Sequence, residues 1–137
     1  MIKSTRNQLA NVKNQFQGKS KKVLAVCSAG LLRSPTCANV LHKEFGFNTR
    51  ACGSCKDFAL IPISEALITW ADEIVFVNID NLHDLEVDER LLIIELGKFV
   101  HILDIPDEHN WGDKELEEII SFQWCASKPK LLTDIED

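Results

Sequence analysis

Short, unbroken apolar runs alternate along this chain with longer stretches in which apolar residues return every three or four positions. Residues 23–27, Val-Leu-Ala-Val-Cys, follow Lys21 and Lys22 and have the pattern of a strand buried on both faces. Ser34-Pro35 reads as a helix start, with serine near the cap and proline in the first turn. Ala38, Leu41 and Phe45 continue that helix on one face until Gly46. A short extended piece over 48–51 and a glycine-bearing loop come next. Residues 62–70 predict a second helix with Ile63, Leu67 and Trp70 as its stripe, and 73–77 the next strand. A helix over 87–96, a strand over 98–103 and a last helix over 114–125 complete the pattern. Strands alternating with helices predict one three-layer α/β/α domain around a four-stranded, mainly parallel sheet. The domain spans 21–137, and an arm of residues 1–20 precedes it.

Composition narrows the class without changing that picture. The 137 residues suit one domain, and 45% hydrophobic with 26% charged residues excludes collagen-like, coiled-coil and wholly disordered chains. No apolar run approaches the roughly 20 residues of a membrane helix. The net charge of −6 is unevenly spread: Lys3, Arg6, Lys13, Lys19, Lys21 and Lys22 stand among the first 22 residues with no acid, and all 21 acidic residues follow. A body that acidic repels nucleic acid. The arm either meets phosphate or a membrane surface, or packs on the domain as a short helix through Leu9, Val12 and Phe16. It has no apolar core of the kind an export signal needs. An odd count of five cysteines then points to a reduced, cytoplasmic protein. Cys52 and Cys55 form a Cys-x-x-Cys pair, but no second pair follows to complete a zinc site, so ordinary core or loop residues are expected. His42, His83 and His101 read as surface or core-edge residues, and Trp70, Trp111 and Trp124 as packing.

The chemistry concentrates where the first strand ends. Cys27-Ser-Ala-Gly-Leu-Leu-Arg33-Ser34-Pro35 leaves a strand and opens a helix, and in open α/β sheets ligands bind at that end of the strands. Successive amides of such a loop, here at Ser28, Ala29, Gly30, Leu31 and Leu32, make an anion nest, and the helix adds the positive end of its dipole. Arg33 supplies a planar fork for two phosphate oxygens. The same positive groups suit a Cys27 that attacks as its anion, with Ser34 donating a hydrogen bond to the sulfur. The cysteine–arginine spacing alone has little weight; the strand before it, the glycine within and the helix start after it give it meaning.

This loop resembles the phosphate loop of the low-molecular-weight protein tyrosine phosphatases, most of all their short bacterial and phage branch. The likeness extends over roughly residues 21–126. Arg50-Ala-Cys-Gly-Ser54 resembles the branch's second-strand motif. Trp70 to Val77 with Asn81-Leu-His-Asp-Leu85 resembles its third strand and following helix, and Leu103-Asp-Ile-Pro-Asp107 with Asp113-Lys-Glu-Leu116 its acid loop and last helix. The resemblance implies a flavodoxin-like sheet and a protein-tyrosine-phosphatase acting on a phosphorylated protein or a small phosphate monoester without metal or cofactor. Cys27 would be the nucleophile, residues 28–34 the phosphate cradle and Asp107 the general acid, with Asp104 and Asp113 as competitors for that role.

Several positions depart from the family pattern. Gly30 stands where much of the larger family has an asparagine bracing the loop, and Leu32 where many relatives have a second loop cysteine. Glu108 follows Asp107 where the larger family has proline. The chain has no tyrosine, which leaves His109 and Trp111 as the aromatic candidates for cleft walls, and the segment between Gly53 and Pro62 is short. An arsenate reductase, a phosphocysteine carrier and a phosphate-binding pseudophosphatase remain as alternatives on the same scaffold. The first would need two relay cysteines after the third strand, and none occurs between Cys55 and Cys125. Cys37, Cys52 or Cys55 could still intercept an oxidised Cys27.

Overall fold

The computed structural model describes residues 20–28, 33–57, 59–105 and 114–135; the basic arm, apart from Ser20, lies outside them. In chain order the elements are β1 (Lys22–Cys27), α1 (Arg33–Phe45), β2 (Asn48–Gly53), α2 (Glu65–Trp70), β3 (Glu73–Phe76), α3 (Ile79–His83), α4 (Val87–Glu95), β4 (Phe99–Ile102), α5 (Lys114–Ala126) and β5 (Lys130–Leu131). The sheet order is β2-β1-β3-β4-β5, with the first four strands parallel and β5 antiparallel to β4. The four expected strands are therefore joined by a fifth of two exposed residues at the sheet's edge.

Burial explains why β1 is central. Val23, Leu24, Ala25 and Val26 are all completely shielded from solvent, because helices cover both faces, as a parallel sheet requires. Alternate residues feed two cores. Val23 and Ala25, with Val75 and Val77, meet Ala38 and Leu41 of α1 and Leu116 and Ile120 of α5. Leu24 and Val26, with Ile74 and Phe76, meet Ile68 of α2, Leu82 of α3 and Ile93 of α4. Each such fully buried aliphatic side chain contributes about 1.5–3 kcal/mol relative to exposure.

Local signals set the helix ends. α1 stops at Gly46, which takes a left-handed φ of 74° and donates its N–H to the His42 carbonyl, the conformation a glycine adopts at least cost. His42 Nδ1 lies 3.0 Å from the Phe47 carbonyl and fastens the same turn. α2 is shorter than its periodicity suggests. Ser64 caps it by accepting from the Leu67 N–H, so Pro62 and Ile63 precede the helix; Pro62 bridges to Gly53 of β2 and Ile63 is buried in the second core. Among the described residues no helix is long and apolar enough to cross a membrane.

Candidate active site

The chain order places a reversal at β1. From β1 the chain moves outward to β2, then returns to β3 on the opposite side, and the carboxyl ends of the strands at such a reversal are where open α/β sheets bind ligands. Cys27 is the last residue of β1 and Arg33 the first of α1, so both stand at this strand end. Cys27 is 3% exposed and Arg33 7%. The sulfur lies 3.1 Å from Ser34 Oγ, which in turn donates to the Cys52 carbonyl at 3.1 Å. Once Cys27 has lost its proton, the same hydroxyl can turn and donate to the sulfur.

The guanidinium of Arg33 donates from one Nη to the carbonyl of Ile105, 3.0 Å away. A carbonyl fixes the fork without neutralising its charge. That contact also ties α1 to the segment leaving β4. Residues 29–32 and 106–113 lie outside the described residues; Ala29, Gly30, Leu31 and Leu32 of the expected cradle, and Asp107, Asp113, His109 and Trp111, are among them. Of the expected site, Cys27, Ser28, Arg33 and Ser34 are described, and the structure brings them together at one strand end.

Asp104, the remaining competitor for the acid, sits two residues beyond β4 and is exposed. Its carboxylate accepts from Asn78 Nδ2 at 3.4 Å, and its backbone is clipped on both sides by Gln123, whose Oε1 accepts from the Asp104 N–H and whose Nε2 donates to its carbonyl. These bonds tie the Asp104 backbone to α5 and its carboxylate to Asn78.

Asn81 of α3 is 1% exposed. Its Nδ2 donates to Ser28 Oγ at 3.2 Å and to Ser54 Oγ at 3.4 Å, while its Oδ1 accepts from the Asn78 N–H at 3.1 Å. Ser54 Oγ passes a further bond to Asp84 Oδ2 at 2.8 Å. The backbone repeats the connection: the Ser54 N–H donates to the Cys27 carbonyl at 2.7 Å and the Cys55 N–H to the Ser28 carbonyl at 2.9 Å. The start of the loop is thus fixed from β2's exit and from α3, across 53 residues of sequence in the Asn81 case. Sequence reading missed Asn81 and Ser54 as site residues. The available signal was the Asn78-x-x-Asn81 spacing, a capping box that spends one side of the amide on the helix and leaves the other to reach inward.

Five free thiols are present, and burial separates them. Cys37 is fully buried, and burial, with the neighbouring Cys27 adding to it, pushes its thiol up to about 12. Burial likewise raises Cys52 well above the ordinary thiol range, with Cys27 and then Glu89 adding to the effect. Both stay protonated at neutral pH and are poor nucleophiles, which argues against either as the partner that captures an oxidised Cys27. The Cys52–Cys55 pair is split between a buried strand position and a half-buried loop position. Among the described residues no three histidine, cysteine or carboxylate side chains gather as a metal site would require.

No family model matches the chain, and no curated protein is similar enough to match. One solved structure does: Vibrio vulnificus Wzb in complex with benzylphosphonate, at a TM-score of 0.51 and 21% identity, covering 78% of this chain and 96% of that one. At that identity the likeness establishes a shared fold.

Proposed function

We propose that the protein is a cysteine-dependent phosphate monoester hydrolase, with phosphotyrosine as the preferred substrate group. The observation that carries this reading is the Cys27–Ser34–Arg33 arrangement at a strand-to-helix junction, with sulfur and hydroxyl 3.1 Å apart and the guanidinium anchored on Ile105. A fold shared with a protein solved around an aromatic phosphonate supports it.

In this reading the phosphoryl oxygens rest on the amides of residues 28–34 and on the Arg33 fork, which meet the charge that develops in the transition state. Cys27 Sγ attacks phosphorus in line; the P–O ester bond breaks as the P–S bond forms, and Asp107 gives its proton to the departing oxygen. Asp107, now a carboxylate, takes a proton from water as that water attacks phosphorus, and the P–S bond breaks to return the Cys27 anion to Ser34. Asp107 is favoured over Asp104 by the family position it matches, and because the Asp104 carboxylate is engaged by Asn78 and its backbone by Gln123.

Rapid acid quench of the enzyme with a labelled phosphotyrosine peptide tests the proposal. The expected result is a phosphoenzyme on Cys27 that forms at up to one equivalent and decays as inorganic phosphate appears. A label that accumulates and persists would favour the carrier reading, and no label with retained phosphate binding would favour the binding-module reading. Disulfide formation coupled to arsenate consumption would favour the reductase.

A further inference from the structure

The hydroxyl and amide hydrogens around the start of the loop can be followed one by one to their acceptors. The Ser34 hydroxyl donates to the Cys52 carbonyl at 3.1 Å, and the Ser54 hydroxyl to Asp84 Oδ2 at 2.8 Å. The Asn81 amide gives one hydrogen to Ser28 Oγ at 3.2 Å and the other to Ser54 Oγ at 3.4 Å. Ser28 is the exception. Its oxygen accepts from Asn81, but among the described residues nothing accepts the proton of its own hydroxyl. A hydroxyl carries one donor beside its lone pairs, so a half-buried donor next to the nucleophile stands unspent.

Its position is fixed from two directions. The Ser28 carbonyl accepts from the Cys55 N–H at 2.9 Å, and Asn81 holds the side chain from α3. Cys27, one residue earlier, is held instead from α1 by Ser34. An anion seated on the sulfur therefore has Arg33 and Ser34 on its α1 side. Toward α3 the Asn81 hydrogens are already committed, and the Ser28 hydroxyl is the group left to meet it. With Asn81 donating into one lone pair, the O–H bond is polarised, which makes it a better donor. The same bond makes the hydroxyl a poor proton acceptor, so its role is that of a donor and not of a base.

We propose that the Ser28 hydroxyl donates to an equatorial oxygen of the phosphoryl group, on the side of the sulfur toward α3, and that Asn81 is the positioning residue that aims it. This rests on the hydrolase reading above for where the phosphoryl group sits. It adds a side-chain donor to the backbone amides, and a donor fixed before the reaction stabilises the transition state more than the ground state.

Titration calorimetry with vanadate and with inorganic phosphate tests this, beside hydrolysis of p-nitrophenyl phosphate. Vanadate adopts the five-coordinate shape of the transition state; phosphate resembles the product. Ser28→Ala should bind vanadate about tenfold more weakly and phosphate less than about threefold more weakly, with kcat lowered about tenfold and KM little changed. Ser28→Thr, which keeps the hydroxyl, should stay within about threefold of the wild type throughout. Removing the Ser28 hydroxyl from Asn81→Ala should cost less than about threefold further in vanadate affinity, since Asn81 acts through it. The inference is overturned by an equal loss of vanadate and phosphate affinity in Ser28→Ala, as a merely loosened loop would give. No loss of either, a Ser28→Thr no better than Ser28→Ala, or full additivity with Asn81→Ala would overturn it as well. The titrations need no turnover, so they read Ser28 separately from the hydrolase reading, whose own failure shows as a wild type that leaves p-nitrophenyl phosphate intact.

Discussion

The two ends of the sheet hold buried polar groups of opposite character. At the amino end of β3, Glu73 bonds Nε2 of His101, in β4, at 2.8 Å and Lys21 at 2.9 Å, and His101 Nδ1 lies 2.8 Å from Ser127 Oγ under the ring of Trp124. Burial lowers His101, only partly opposed by Glu73, so its imidazole is neutral; burial raises Glu73, but the bonds from His101 and Lys21 outweigh that and keep it ionised. Each group there is matched by a partner within the network. At the carboxyl end of β1 the buried groups are a thiol, serine hydroxyls, the Asn81 amide and the Arg33 guanidinium, grouped at one strand end where the chain turns into a helix. The first arrangement closes on itself and holds α5 to the sheet. The second assembles donors and one positive charge around a sulfur, which is what an anion site needs and a purely structural network does not.

The largest effect that would break this contrast is at the sulfur. Cys27→Ser should lower phosphatase turnover by at least about 1,000-fold while phosphate binding persists, and Arg33→Ala should cost about 100- to 1,000-fold in kcat, measured by steady-state kinetics. Next, Asp107→Asn should slow a phosphotyrosine peptide by about 100-fold or more, in the range of a lost general acid, and Asp104→Asn by less than about threefold. Equal losses would dissolve the distinction drawn between them.

Asn81→Ala sharpens the comparison in a third way. It strips a donor from Ser28 and Ser54, which should cost about 1–3 kcal/mol of stability and lower kcat about tenfold or more with KM little changed, since the loop would be less well formed. A drop in thermal stability with kcat intact would make Asn81 a packing residue only.

The smallest effect belongs to the other end. The folded state holds His101 below its unfolded value of about 6.5, so below that pH the unfolded chain binds a proton that the folded chain does not. His101 therefore contributes stability that is present above about pH 6.5 and is lost as pH falls toward its folded value, at up to about 1.4 kcal/mol per pH unit. Glu73, held low when folded, adds a further loss only below the ordinary carboxylate range. Melting temperatures between pH 7.5 and 5.5 should fall more steeply for the wild type than for His101→Gln, and parallel curves would contradict this.

What the sequence made legible was local or continuous along the chain. Three strands showed as apolar runs and β2 only as a short extended piece over 48–51, and the Cys27-to-Arg33 turn could be read because strand, loop and helix start fall within nine residues. β5 escaped because its two exposed residues form a strand only by pairing with β4. α2 was read three residues too long because Ile63 fits a helical stripe as well as it fits the buried segment before the Ser64 cap. Asn81 was missed for the opposite reason: its capping-box spacing was readable, but the Ser54 and Ser28 hydroxyls it donates to lie 27 and 53 residues away. His101 read as a core-edge residue; its partners Glu73 and Ser127 lie 28 and 26 residues off.

The central claim is that Cys27 and Arg33 form a hydrolytic phosphate site, and hydrolysis of p-nitrophenyl phosphate against pH under reducing conditions tests it most directly. The account predicts turnover by the wild type, abolished in Cys27→Ser and reduced at least 100-fold in Arg33→Ala, with both variants folded by circular dichroism. No turnover by the wild type at any pH, or turnover that survives Cys27→Ser, would contradict it.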